Sequence, residues 1–499
     1  MTAFVDALPM VLSFDVLSII IISAAFGLFV GATPGLSATM AVALIVPVTF
    51  FLSPVAAIGA IITCSAMAIF AGDIPGALLR IPGTPASAAY VNDTYELNKQ
   101  GKLALGLGTT LTTSAIGGII GTVILVIAAP QLASFALNFS SYEYFWLALL
   151  GLSCATIVAP GDPIKAWMSL FLGVLLSTVG LDVVSGQQRF TFGIIDLQAG
   201  VPLIVVLIAA FAIAELFRKM TSDDAPVPIP PPLSFGFLRG QGAVLWKYKT
   251  GITRGSLTGT FVGALPGAGS DIAAWISYAI SKRFSKTPEK YGTGHLEGVA
   301  EAGASNNAAL SGSYVPTLVF GIPGDSITAI VVGVLVIKGI QPGPMVFTSS
   351  PELLNSLYIV FFLSNILMVP LGIIAIMMAR RILMVKPGIL YSIILLLCMM
   401  GSFATSNSLF DLWFLLIVGV VVWILDANDY PAGPIVLGLV LGRIVEENFM
   451  NSVLKSNGDI VAFFNRPVAG VLGAITVMVW LFPLFATLYR KMAGKRKSP

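Results

Sequence analysis

Two Pro-Gly breaks stand inside apolar runs in the first half of this sequence, and two more stand at matching places in the second. One matching pair is Gly31-Ala-Thr-Pro-Gly-Leu-Ser-Ala-Thr39 and Gly263-Ala-Leu-Pro-Gly-Ala-Gly-Ser-Asp271. The other is Ile81-Pro-Gly-Thr-Pro-Ala-Ser-Ala88 and Ile322-Pro-Gly-Asp-Ser-Ile-Thr-Ala329. Proline removes a backbone donor and glycine frees the backbone, so each pair interrupts a helix inside a hydrophobic segment. Breaks repeated in corresponding positions of two halves are the sequence mark of a binding site near the middle of a membrane.

The runs themselves demand a bilayer. Hydrophobic residues make up 57% of the chain and charged residues 10%, with a mean hydropathy of +0.93. Many apolar windows approach the roughly 20 residues that cross a membrane as a helix. They are continuous, whereas a β-barrel needs short alternating segments. The expected class is therefore an all-α polytopic membrane protein. The net charge of +3 says little, because the position of basic residues matters more than their sum. Cys64, Cys154 and Cys398 sit in apolar runs without CxxC spacing, which reads as small core residues and implies neither disulfides nor a metal site. Met1 to Asp15 has no basic n-region, so the first apolar segment is expected to stay in the mature protein.

The two halves share a register. Pro34 and Pro266 are 232 positions apart, and Pro82 and Pro323 are 241 apart. The difference points to an insertion between the motifs of the second half, which the basic loop Ser281 to Lys290 supplies where the first half has only Phe51-Leu-Ser-Pro54. The chain then divides into a first membrane repeat at 1–217, a Pro-rich extramembrane linker at 218–250 and a second membrane repeat at 251–499. The linker holds Pro226, Pro228, Pro230, Pro231 and Pro232. Apolar segments are expected at 55–79, 431–442 and 467–488, among others.

Charge placement suggests orientation. The segment 252–266, about 15 residues, spans roughly 22 Å against a hydrocarbon core of about 30 Å. Arg239, Lys247, Lys249 and Arg254 precede it, and Lys282, Arg283 and Lys286 follow its partner. With both flanks cytoplasmic, 252–281 enters, breaks at Pro266-Gly267 and returns, a re-entrant helical hairpin. The matching unit 15–52 has Asp6 and Asp15 before it and no basic flank, which suits the opposite side. The halves thus read as two inverted repeats, each with Pro-Gly-broken re-entrant hairpins; the alternative is two halves that cross with simple Pro kinks. Arg490, Lys491, Lys495, Arg496 and Lys497 are expected in the cytoplasm.

A break in the bilayer is tolerated only where protein, water or ligand satisfies the freed backbone groups. The returning half-helix offers free N–H groups to an anion, and unwound carbonyls suit Na+. Around the breaks, Thr33, Pro34, Gly35, Ser37, Thr84, Ser87, Pro266, Gly267, Gly269, Ser270, Pro323, Gly324 and Ser326 are candidates for holding a carboxylate, together with the consecutive amides Asn306 and Asn307. Thr39, Asp271, Asp325 and Thr328 are candidates for cation coupling, with Na+ possible at Thr39, Asp271 and Asp325. The plainer alternatives are helix packing for the small residues and N-capping for the aspartates and asparagines. Asp73 and Arg80 are expected to pair with each other, and His295, the sole histidine, reads as a loop residue. The glycine-rich pieces lack the Lys-Ser/Thr of a P-loop, and no serine elbow or metal-ligand spacing occurs, so no enzyme is expected.

The chain resembles the large membrane subunit of the tripartite tricarboxylate transporters, the TctA family. The resemblance rests on Gly31-Ala-Thr-Pro-Gly35, Ile81-Pro-Gly-Thr-Pro85, the stretch Gly180 to Gly193, Leu265-Pro-Gly-Ala-Gly269, Glu297-Gly-Val-Ala300, Ser305-Asn-Asn-Ala308, Gly321-Ile-Pro-Gly-Asp325 and Gln341-Pro-Gly-Pro344. It implies a multi-pass permease of the bacterial inner membrane with about twelve segments. Its partners would be a small membrane subunit of the TctB type and a periplasmic solute-binding protein of the TctC type, with a carboxylate as substrate, Na+ or H+ as driving ion and no nucleic acid. No cofactor beyond the co-transported ion is implied. Alternating access, with a hairpin-bearing core moving as an elevator, is expected by analogy; a non-transporting receptor or assembly scaffold for a binding protein is the other class.

Overall fold

The computed structural model describes residues 2–182, 185–221, 236–267, 269–385 and 387–495. Its first half runs α1 (Thr2–Val11), α2 (Phe14–Gly31), α3 (Ala38–Thr49), α4 (Pro54–Ala71), α5 (Asp73–Leu79), α6 (Val91–Lys99), α7 (Leu103–Ala136), α8 (Ser141–Val158) and α9 (Pro163–Ser177). A two-residue β-hairpin, Gly180–Leu181 against Gln188–Arg189, leads to α10 (Leu203–Ile208), a π-helical turn (Ala209–Ile213) and α11 (Ala214–Thr221). The second half runs α12 (Gln241–Lys247), α13 (Lys249–Gly263), α14 (Gly269–Phe284), α15 (Leu296–Phe320), α16 (Ser326–Ile337), α17 (Val346–Ser349) and α18 (Pro351–Leu383). It ends with α19 (Pro387–Ser406), α20 (Leu409–Ala427), α21 (Ala432–Lys455), α22 (Ala462–Asn465) and α23 (Pro467–Lys495). The protein is an all-α polytopic membrane protein: among the described residues six helices are long and apolar enough to cross a bilayer, and four shorter apolar helices accompany them.

The four Pro-Gly breaks named from the sequence fall between helices, whereas Pro75-Gly76 is taken up inside α5. Pro34-Gly35 separates α2 from α3, Pro266-Gly267 separates α13 from α14, and Pro323-Gly324 separates α15 from α16. Gly35 (φ +85°) and Gly267 (φ +82°) lie in the left-handed region that a side chain resists. Several expected boundaries shift. The run 55–79 is two helices, divided at Gly72, and the run 431–442 continues as helix through the charged residues to Lys455. The expected linker 218–250 is helical at both ends, in α11 and in α12–α13; Pro226 to Pro232 and the C-terminal Arg496 and Lys497 lie outside the described residues.

The register read from the prolines returns in the packing. A Cβ on Gly27 of α2 would stand 2.4 Å from the Cys64 carbonyl oxygen of α4, and one on Gly31 would stand 2.4 Å from that of Ala68. In the second half, a Cβ on Gly259 of α13 would stand 2.3 Å from the Ser305 carbonyl oxygen of α15, and one on Gly263 would stand 2.2 Å from that of Ala309. Gly27 to Gly259 and Gly31 to Gly263 are steps of 232; Cys64 to Ser305 and Ala68 to Ala309 are steps of 241. Helix–helix packing in a membrane depends on such small residues, since lipid supplies no hydrophobic drive for association. The long helices are exchanged between halves: α4 packs on α18, and α15 packs on α7.

The turn between α14 and α15 is fastened to the first half by one carboxylate. Asp93 of α6 is fully buried, and its Oδ1 accepts from the backbone N–H of Gly292 (2.9 Å), Gly294 (2.8 Å) and His295 (2.9 Å). The Tyr278 hydroxyl of α14 donates to Oδ2 at 2.6 Å. Asp93→Asn replaces one acceptor by a donor facing that hydroxyl. We expect it to cost about 1–3 kcal/mol, read as a lower melting temperature of the purified protein and faster proteolysis at the 285–295 loop.

Candidate functional site

The breaks of both halves border one cavity of about 490 Å³. Four helix N-termini open onto it. Ser37 and Thr39 come from the start of α3, Ser270 and Asp271 from the start of α14, Asp325 and Ser326 from the start of α16, and Ala432, Gly433 and Pro434 from the start of α21. Thr84 and Pro85 follow the first-half Ile-Pro-Gly break, and Asn306 projects from the middle of α15. Ala155 and Ala159 at the end of α8, Phe211 in the π-helical turn and Asp426 at the end of α20 complete the wall. Asp271, Asp325 and Asp426 are its acidic residues; among the lining residues there is no Lys, Arg or His.

Local hydrogen bonds explain why the chain stops and restarts here. Ser37 caps α3 by accepting from the Met40 N–H at 3.1 Å. Asp325 caps α16, its Oδ1 accepting from the Thr328 N–H at 2.8 Å, while the Asp325 N–H donates to Thr328 Oγ1 at 2.9 Å. The first half repeats this reciprocal pattern at the 241 step: the Ser87 N–H donates to Thr84 Oγ1 at 3.1 Å and the Thr84 N–H donates to Ser87 Oγ at 3.2 Å. The Asp325–Thr328 pair is a capping box, which satisfies two backbone donors at once, and the Thr84–Ser87 pair makes the same exchange in the turn that leads into a three-residue 3-10 helix. Asp325 is more than a cap, however, because its Oδ2 accepts no hydrogen bond although it is buried.

The breaks also brace one another. The Gly267 N–H donates to the Gly324 carbonyl at 2.7 Å. Gly269 (φ +57°) is pressed on Asp325, where a Cβ would come within 2.7 Å of the aspartate Cβ. Trp275 of α14 donates its indole N–H to the Pro85 carbonyl at 3.0 Å, tying the second-half returning helix to the first-half break.

Of the candidates named from sequence, Ser37, Thr39, Thr84, Gly267, Gly269, Ser270, Asp271, Asn306, Asp325 and Ser326 line this cavity. Thr33, Pro34, Gly35, Ser87, Pro266, Asn307, Pro323, Gly324 and Thr328 do not line it. Thr33 Oγ1 donates to the Phe29 carbonyl at 2.8 Å, and the Lys219 side chain covers Gly35. Ser87 and Thr328 are consumed in these reciprocal pairs. Asn306 and Asn307 do not begin a helix but sit inside α15; consecutive residues point about 100° apart, so Asn307 faces Met368 of α18 instead. Asp73 and Arg80 do not pair: Asp73 accepts from the Tyr90 hydroxyl at 2.6 Å, and Arg80 donates to Asn92 Oδ1 at 2.9 Å. His295 stands in the loop before α15, with Nε2 at 3.2 Å from Glu297. Sequence reading missed Trp275, Asp426 and the Pro431–Pro434 wall, although Pro-Ala-Gly-Pro between two apolar runs is the same kind of break.

Residues 17–437 match the tripartite tricarboxylate transporter TctA family. The chain is 33% identical over 462 residues to the uncharacterised 52.8 kDa protein in the TAR-I ttuC' 3' region of Agrobacterium vitis, covering 92% of this chain and 91% of that one. It is also 33% identical over 228 residues to an uncharacterised protein in the TAR-II ttuC' 3' region of the same organism, covering 45% of this chain and 94% of that one. Solved structures provide no significant match.

Proposed function

This chain belongs to the tripartite tricarboxylate transporter TctA family, and from that membership we propose that it is the permease subunit that carries a di- or tricarboxylate across the bacterial inner membrane together with Na+ or H+. The convergence of four helix N-termini on one cavity carries this reading. Each N-terminus is equivalent to about half a positive charge, so four supply roughly +2 against at most −3 from Asp271, Asp325 and Asp426, of which Asp426 also feels Arg218. With these carboxylates ionised, an anion of charge −2 or −3 is repelled unless cations or protons accompany it, and that requirement is the physical basis of coupling in this reading. Ser37, Thr84, Ser270, Ser326 and Asn306, with the backbone at Gly267 and Gly269, hold the anion. Thr39, Asp271 and Asp325 hold the cation, with Asp426 as a further charged wall.

The partners in this reading are a small membrane subunit of the TctB type and a periplasmic binding protein of the TctC type. The organisation is two inverted repeats about the linker. The recurrence of the 232 and 241 steps in helix packing supports the repeat, and the opposite charge flanks of 15–52 and 252–281 support the inversion. Transport follows by alternating access, with the braced breaks moving as one core.

Reconstitution of the chain with its partner subunits in vesicles tests this. An imposed inward Na+ or proton gradient should drive radiolabelled citrate, or another di- or tricarboxylate, to accumulate above equilibrium, and dissipating the gradient should abolish it. Docking of the binding protein without accumulation under either gradient would instead support the receptor or scaffold class.

A further inference from the structure

Behind the Asn306 wall of the cavity lies a second carboxylate that the proposed mechanism does not use. Asp73 is 2% exposed, at the meeting of α5, α6, α7 and α15. Its Oδ1 accepts from the Tyr90 hydroxyl at 2.6 Å, and its Oδ2 accepts from no side chain or backbone group. The Asn306 Nδ2 donates to the same Tyr90 oxygen at 3.4 Å, and Asn306 Oδ1 is likewise buried and unpartnered. Two orphan acceptor oxygens thus belong to residues held by one hydroxyl. From α7 the Thr110 hydroxyl comes within reach of the carboxylate but donates to the Leu107 carbonyl at 3.1 Å. Among the described residues no Lys, Arg or His forms an ion pair with Asp73, since Arg80 turns to Asn92. A carboxylate buried this way costs several kcal/mol unless a positive charge joins it.

The fold supplies its own control. At the 241 step, the counterparts of Asp73, Tyr90 and Asn306 are Tyr314, Val331 and Ser65. At that matching place the aspartate is replaced by Tyr314, which is fully buried against Phe361, with Asp325 as the nearby carboxylate. The repeat therefore does not itself dictate an aspartate at this position.

We propose that Asp73 is the charged ligand of a second monovalent-cation site, with the Tyr90 hydroxyl and Asn306 Oδ1 as its neutral oxygens. Asn306 also lines the substrate cavity and so stands between it and the Asp73–Tyr90 pair. The cation is Na+ or H+, and it is separate from the one assigned to Asp271 and Asp325. This proposal rests on the cation-coupled reading above and adds one positive charge to the transport stoichiometry.

Binding of radioactive sodium to the purified full-length chain, at constant ionic strength in choline chloride, tests it together with melting temperature as a function of pH. Asp73→Asn and Asp271→Asn are compared with the parent. If the cation is Na+, Asp73→Asn loses one bound sodium and Asp271→Asn loses a different one. If it is H+, sodium binding is unchanged and a pH-dependent step in melting temperature disappears in Asp73→Asn alone. Should Asp73→Asn not fold, Tyr90→Phe retains the carboxylate; it is expected to weaken sodium affinity about tenfold through loss of a neutral ligand oxygen or, if the ion is H+, to strengthen proton affinity about tenfold, because the hydroxyl's hydrogen bond favours the charged carboxylate. Parent-like sodium and pH curves in both Asp73→Asn and Tyr90→Phe overturn the proposal. If Asp271→Asn still changes them, the cavity reading survives; if the parent itself responds to neither ion, cation coupling fails with it.

Discussion

Asp325→Asn is expected to leave the protein folded and to lower gradient-driven uptake at least about 100-fold, equivalent to about 2.7 kcal/mol in the barrier. Asparagine caps a helix as well as aspartate does, so the bond to the Thr328 N–H survives and α16 still begins where it should. What is lost is the negative charge on the oxygen that has no protein partner. Asp325→Ala removes both functions. It should show the same loss of uptake and in addition a destabilisation of about 1–2 kcal/mol from the missing cap. Uptake in vesicles and thermal unfolding in detergent separate the two effects. If the asparagine variant transports like the parent, the carboxylate is a cap and nothing more, and its place in cation coupling is withdrawn.

The second large effect concerns the helix crossings. Gly27→Val and Gly259→Val should each prevent accumulation of folded protein, because their Cβ atoms would stand 2.4 and 2.3 Å from backbone oxygens that have no room to retreat. Overpacking of this kind costs about 3 kcal/mol or more, a large part of the stability of most proteins. Gly242→Ala is the control: no atom lies within 4 Å of its Cβ, and alanine favours the helix. Size-exclusion profiles of detergent extracts report the outcome. Sharp, monodisperse peaks for both valine variants would mean that the two crossings are not the close contacts described here.

The placement of the breaks was legible because Pro and Gly act through local backbone chemistry, and the apolar runs around them leave little choice but helix. The register of the halves was legible for the same reason, and the steps of 232 and 241 recur in the α2–α4 and α13–α15 contacts. Orientation around a helix was not. Asn306 and Asn307 are neighbours in sequence, yet one faces the cavity and the other Met368, and only packing decides which. Asp73 and Arg80 looked like a pair at a spacing of seven. The helix between them ends at Leu79, and Arg80 takes a left-handed turn (φ 62°) toward Asn92. The wall at Pro431–Pro434 was hidden because it follows a short polar loop that reads as an ordinary connection.

Asp93 has a consequence for how this machine could be articulated. Its grip on Gly292, Gly294 and His295 welds pieces of chain 199 to 202 positions apart into a single part. Trp275 fastens the same part to Pro85 from the other end of α14. Whatever travels during a cycle, these pieces ride together, and a pivot belongs outside the weld, among connections without such a fastening.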